Sequence, residues 1–273
     1  MPDTPFSISP DPNALFLTPA IRSALHRTKY TIDHRQGLAA LLGDVGLGKS
    51  TLLRYLHAHY SAREDTISRL IPNPQWPSKY AMAKAICLEY GLPEPKRSLV
   101  AQQTAFERFL TAELAAGRNV VLFVDEAQAL AADQLEFIRT MLNFETDKEK
   151  LIQIVMAGQL DLRDRLLLPK HKALFSRIFA PTLLNPLLYP EMIGMLKARC
   201  DLVEIPFPFA EDALNQIHDY AGGIPREILR TCELAYSLMR ELGLNAIDGG
   251  LVTAVVQEGR LARQPEQATT VTA

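Results

Sequence analysis

Gly43-Asp44-Val45-Gly46-Leu47-Gly48-Lys49-Ser50 is the stretch from which the rest of the chain can be read. It has the pattern G-x-x-x-x-G-K-[ST], which carries meaning only between a strand and a helix. Both neighbours are present. Gly37-Leu38-Ala39-Ala40-Leu41-Leu42 is an apolar run directly before it, and Leu52, Leu53, Leu56 and Tyr60 follow at the spacing of one helix face. Glycines let backbone N–H groups turn inward around a phosphate, and the helix N-terminus adds partial positive charge. Lys49 is expected to reach the β- and γ-phosphates and the Ser50 hydroxyl to hold Mg²⁺. The residues from Gly43 to Thr51 are thus the expected binding segment for ATP with Mg²⁺.

A second acidic element is needed, and Val120-Val121-Leu122-Phe123-Val124 supplies it by ending in Asp125-Glu126. The unbroken apolar run is that of a strand buried on both faces of a parallel sheet. Asp125 is expected to hold Mg²⁺, commonly through a water, and Glu126 to orient or deprotonate the attacking water. A further run, Leu151 to Gly158, ends in Gln159. In a doubly wound sheet the ligand lies beyond the carboxyl ends of the strands, so Gln159 is expected near the γ-phosphate.

Other strands are expected at Thr66–Ile71 and Phe179–Leu184, and helices at 19–33, 79–90, 99–116, 135–144 and 161–168. From Tyr189 onward only helical patterns remain, at 191–200, 211–221, 226–242 and 249–261. The fold class is α/β, a parallel doubly wound sheet followed by a small all-helical lid. Residues 1–18, with four prolines and Pro19 directly after them, form an extended segment whose apolar residues lie on a surface, 19–185 the core, 186–263 the lid and 264–273 a flexible tail.

Composition narrows the class. Hydrophobic residues make up 48% of the 273 and charged residues 22%, an ordinary globular balance. A net charge of −2 gives no general attraction for nucleic acid, so any such binding needs a local patch. Cys87, Cys200 and Cys232 have no metal spacing and are expected as buried free thiols. No apolar run approaches the about 18 residues of a membrane span. Direct membrane insertion is not expected, and the expected location is cytoplasmic.

The α/β P-loop core with a helical lid resembles the AAA+ superfamily, and within it the ExeA/GspA-like ATPases. The resemblance runs from Phe6 to about Arg260 and is carried by Phe6-Ser7-Ile8-Ser9-Pro10-Asp11-Pro12, the P-loop and Asp125-Glu126-Ala127-Gln128. It is carried further by Leu142-Asn143-Phe144-Glu145-Thr146, Gln153–Gln159 and Gly222-Gly223-Ile224-Pro225-Arg226. It implies that Ile224, Pro225 and Arg226 are the lid's sensor 2 element, with Arg226 on the γ-phosphate. It places Gln159 at the sensor 1 position, where many members carry Asn or Thr. Arg177 matches the arginine finger that a neighbouring subunit inserts, which implies an ATP-dependent ring or helical homo-oligomer.

Secretion-type members of this family carry a transmembrane segment and a cell-wall-binding region after the ATPase, and the sequence to Ala273 shows neither. Shorter relatives resemble the transposition regulators of the TnsC, IstB and MuB type. The leading expectation is therefore an ATPase that oligomerises on double-stranded DNA and regulates target selection with a transposase or targeting protein. The alternative is a cytoplasmic ATPase for secretion or pilus assembly with a membrane partner. For DNA contact the expected stripe is Trp76 and Lys79, with Lys84 one turn on, and Lys96 with Arg97 in the next loop. In the TnsC-like regulators this part of the core is similar in placement to the DNA-facing surface.

Overall fold

The computed structural model describes residues 5–93 and 98–261. Its strands are β1 (Leu38–Leu42), β2 (Thr66–Ile71), β3 (Asn119–Val124), β4 (Ile152–Gly158) and β5 (Ile178–Leu183). All pairings are parallel, in the order β2-β3-β4-β1-β5. Central β1 and β4 are buried along their whole length, while edge strand β5 alternates buried and exposed. The apolar runs in the sequence have this cause, since a central parallel strand is covered on both faces.

Helices cover the two faces. α1 (Pro19–Asp33) and α2 (Lys49–Ser61) pack on one, where Phe123 approaches Tyr60 with ring centroids 6.4 Å apart. α3 (Lys79–Glu89), α4 (Leu99–Ala115), α5 (Ala132–Met141), α6 (Leu160–Leu167) and the single turn α7 (Lys172–Phe175) belong to the other. There Leu38, Ala40, Val120, Leu122, Ile154 and Met156 join Met82, Ile86, Leu110, Ile138 and Leu162 in one core. Odd and even strand positions thus divide between the faces, as the two-residue strand period requires.

After β1 the chain enters α2 on one face, and after β4 it enters α6 on the other. These strands are neighbours, so the crevice between their carboxyl ends is the switch point where α/β sheets bind ligands.

α5 differs from the sequence-based expectation of 135–144. It begins at Ala132 because the Gln134 side chain accepts the Ala131 N–H at 2.9 Å, capping a start that carries no Ser, Thr, Asp or Asn at the cap position. It ends at Met141, and the next residues turn back toward β4, with Leu151 N–H donating to Phe144 O at 2.9 Å.

The chain divides into two compact units. Of the described residues, Pro10–Asn185 belong to the first, and 5–9 with 186–261 form the second. The segment expected to be one extended stretch is therefore shared, and from Pro12 to Ala14 it is a 3-10 turn. In the second unit stand α8 (Tyr189–Leu202), α9 (Glu211–Ala221), α10 (Pro225–Glu241) and α11 (Gly249–Leu261). Phe6 is fully buried among them, edge-on to Phe209 (5.3 Å) and Tyr236 (5.7 Å). Its N–H donates to Glu233 Oε2 at 3.2 Å.

The three cysteines are free and buried. Burial pushes the Cys87 and Cys200 thiols up to about 11, which leaves them unreactive. Among the described residues no helix is long and apolar enough to cross a membrane.

Candidate functional site

The P-loop leaves the end of β1 and closes at Gly48, which has φ +89° and ψ +12° and caps α2 without a side chain. Only glycine takes that left-handed conformation at little cost, and the first N–H groups of α2 stay open to a ligand. Gly46 is similarly left-handed at φ +83°. Asp44 and Val45 are exposed at the loop tip, where the Val45 N–H donates to Asp44 Oδ1 at 2.7 Å. Leu47 is buried and anchors the loop on the core. Lys49 is only 7% exposed, and its Nζ donates to Gly43 O (3.0 Å) and Asp44 O (2.7 Å). The ammonium therefore lies folded across its own loop, with donors that a phosphate can compete for. Ser50 and Thr51 follow in the first turn of α2, both half-buried.

Asp125 is 6% exposed at the end of β3. Burial pushes its carboxyl up; hydrogen bonds from the Ser50 hydroxyl and the Glu126 N–H pull it back down, as does the Lys49 charge. The structure thus brings Lys49, Ser50 and Asp125 together at the ends of two strands separated by β4. A buried carboxylate bonded to a hydroxyl is a set of hard oxygen donors. It suits Mg²⁺, which takes one or two protein oxygens and completes its shell with water and phosphate.

Glu126 follows in the left-handed region, φ +48° and ψ +37°. Its Oε2 accepts from Gln128 Nε2 and from Gln159 Nε2, the latter at 3.4 Å. Glu126 and Gln159, read from separate motifs, therefore share one hydrogen-bonded group. Gln128 completes it. In the sequence Gln128 closes the run Asp125-Glu126-Ala127-Gln128, but no pattern of spacing marks its side chain as part of the site.

Arg177 lies after α7. Its guanidinium donates to Ala173 O (2.9 Å) and Asn143 Oδ1 (3.1 Å), so it is held on the side of the core formed by α5 and α7. Ile224, Pro225 and Arg226 belong to the second unit. Ile224 is the extended cap of α10, Pro225 its first residue and Arg226 is exposed. The turn before them is pinned within that unit. A Cβ on Gly223 would lie 2.4 Å from Leu187 O, while Leu187 N–H donates to Gly223 O at 2.7 Å.

Of the expected DNA stripe, Lys79 is exposed at the start of α3. Trp76 is half-buried, packs against the core and offers its carbonyl to Gln134 Nε2 at 2.8 Å. Lys96 and Arg97 lie outside the described residues.

Residues 32–166 match the protein family described as AAA domain. Over 258 residues the chain is 34% identical to General secretion pathway protein A of Aeromonas hydrophila, covering 94% of this chain and 47% of that protein. It therefore spans about half the length of this curated relative. Among solved structures, Cdc6p from Pyrobaculum aerophilum superposes with a TM-score of 0.71 at 20% identity, over 97% of this chain and 75% of that one. The Aeropyrum pernix ORC1 protein in complex with DNA gives 0.67 at 17% identity, over 94% and 69%. Both are likenesses of fold. The sheet order and the P-loop and acidic pair at its carboxyl edge agree with the family match: residues 32–166 match an AAA domain, and the α/β fold around them is the one shared with those solved structures.

Proposed function

We propose that the chain is a nucleotide-driven switch that assembles with copies of itself and hydrolyses ATP at the edge formed by β1, β3 and β4. The observation that carries this reading is the convergence of Lys49, Ser50, Asp125, Glu126 and Gln159 on that edge. In the proposed reaction, residues Gly43 to Gly48 wrap the β-phosphate with backbone N–H groups, and Lys49 turns from its loop carbonyls to the β- and γ-phosphates. Ser50 and Asp125 would hold Mg²⁺, which when bound neutralises charge developing between those phosphates. Glu126 orients the attacking water and takes its proton, and Gln159 contacts the γ-phosphate. Arg177 completes the site of a neighbouring copy, and Ile224, Pro225 and Arg226 report the nucleotide to the lid.

Two settings follow. In the first, the assembly forms on double-stranded DNA, contacted by Trp76, Lys79, Lys96 and Arg97, and regulates transposition target selection with a transposase or targeting protein. Its support is the exposed Lys79 and the fold shared with a protein solved in complex with DNA. In the second, the chain serves secretion or pilus assembly from the cytoplasm with a membrane partner. The 34% identity to a general secretion pathway protein over nearly the whole chain favours this second setting.

One experiment separates them. Electron microscopy with an ATP analogue, with and without duplex DNA, should show ATP-dependent rings or filaments. Assembly that needs or lengthens on DNA supports the first setting, and assembly indifferent to DNA supports the second. A monomer under every condition refutes both.

A further inference from the structure

Gln128 stands three residues beyond the strand-end aspartate and touches two of the residues assigned to chemistry. Its Nε2 donates to Glu126 Oε2, and its Oε1 accepts the Gln159 N–H at 3.1 Å. Gln159 Nε2 reaches the same Glu126 oxygen at 3.4 Å, which closes a ring of three residues through two side-chain bonds and one backbone N–H. The turn bearing Gln128 is fixed from outside. Arg165 of α6 donates to Gln128 O (2.7 Å) and to Leu130 O (2.6 Å).

Glu126 has two reasons to need such a hold. Its backbone is left-handed at φ +48°, a conformation that is strained for a non-glycine residue and kept only where the surroundings over-determine it. Its side chain is long, and a freely rotating carboxylate spends little time where a water must be held for attack. A primary amide donates to the carboxylate through its nitrogen while its oxygen accepts a backbone N–H. With Oε2 taking both amide donors, Oε1 is the oxygen left for the water.

We propose that Gln128 is the positioning residue for Glu126: it holds the carboxylate in the rotamer that serves the attacking water and ties that rotamer to the end of β4 through Gln159. The proposal rests on reading Glu126 as the group that activates water. Gln128 itself touches neither the nucleotide nor the water.

The test compares Gln128→Glu with Gln128→Met in steady-state ATPase assays, alongside ATP affinity by calorimetry and melting by circular dichroism. Gln128→Glu keeps the size and the acceptor for the Gln159 N–H, but it cannot donate and sets a like charge against Glu126. Gln128→Met keeps the length and loses both bonds. Both variants should lose roughly 10²-fold in kcat while ATP affinity stays within about twofold. Wild-type kcat in Gln128→Glu overturns the proposal, because the amide would then serve only to anchor the Gln159 turn. Parallel loss of affinity and kcat overturns it too, since that marks general disruption. Should Gln128→Glu fail to fold, wild-type kcat in Gln128→Met refutes it by the same criterion. Glu126→Gln, measured beside them, separates the two levels. If Glu126→Gln is inactive and Gln128→Glu is normal, only the positioning role fails. If Glu126→Gln turns over normally, the reading beneath fails and the proposal with it.

Discussion

Lys49→Ala removes an ammonium that is 7% exposed and donates to Gly43 O at 3.0 Å and Asp44 O at 2.7 Å. Its effect on ATP binding follows from what that ammonium exchanges when a phosphate arrives. When nucleotide enters, the two bonds to loop carbonyls are exchanged for bonds to phosphate oxygens, so little is gained or lost in hydrogen bonding. What remains is the attraction between a buried cation and phosphate charge. For one pair of unit charges about 4 Å apart at an effective dielectric constant near 20, this is about 4 kcal/mol. That corresponds to roughly a 10³-fold loss of affinity. Isothermal titration of ATP into wild type and variant at fixed Mg²⁺ and moderate salt measures it, with a melting curve to show that the fold is kept. A dissociation constant within about threefold of wild type would refute the reasoning, because Lys49 would then contribute no more than a surface charge.

Three further outcomes follow from other parts of the molecule. Phe6→Ala should cost about 3–5 kcal/mol of stability in the unit that contains it, measured by denaturant unfolding, because the ring is wholly buried between Phe209 and Tyr236; a loss under about 1 kcal/mol contradicts this packing. Burial pushes the Glu233 carboxyl up against the pull of the Phe6 N–H, so the folded state holds that proton more tightly than the unfolded chain. Stability should therefore rise as pH falls from neutral through the raised pKa toward the ordinary glutamate value, and Glu233→Gln should lack that rise; a difference in Tm between the two proteins that does not change with pH contradicts it. Lys79→Ala combined with Lys96→Ala and Arg97→Ala should weaken duplex binding and flatten its salt slope by up to about 0.9 for each phosphate left without its cation, with ATP binding unchanged; unaltered DNA affinity places any nucleic-acid surface elsewhere.

Much of this site was legible because its chemistry is local. The segment from Leu38 to Tyr60 announces strand, phosphate loop and helix in consecutive residues, and the strand ending at Val124 delivers Asp125 directly. The strand order was not legible. That β4 lies between β3 and β1 is a matter of which apolar faces meet, and all five strands offer similar aliphatic side chains. α5 was misplaced by three residues because its apolar period starts at Leu135, while its first turn is held by the Gln134 side chain, a signal weaker than a Ser or Asp cap. α7, a single turn, is too short for periodicity to register. Gln128 escaped for a similar reason. An amide two residues after a glutamate has no characteristic pattern, and only the turn at Ala127 aims it back at Glu126 and across to Gln159.

The most direct test of the account is ATP binding and hydrolysis by wild type and Glu126→Gln, measured on the same preparations at saturating Mg²⁺. Wild type should hydrolyse ATP. Glu126→Gln should bind it as tightly while hydrolysing it at least about 10²-fold more slowly, because an amide cannot take the proton of the attacking water. Hydrolysis by Glu126→Gln at the wild-type rate would contradict the assignment on which the proposed reaction rests.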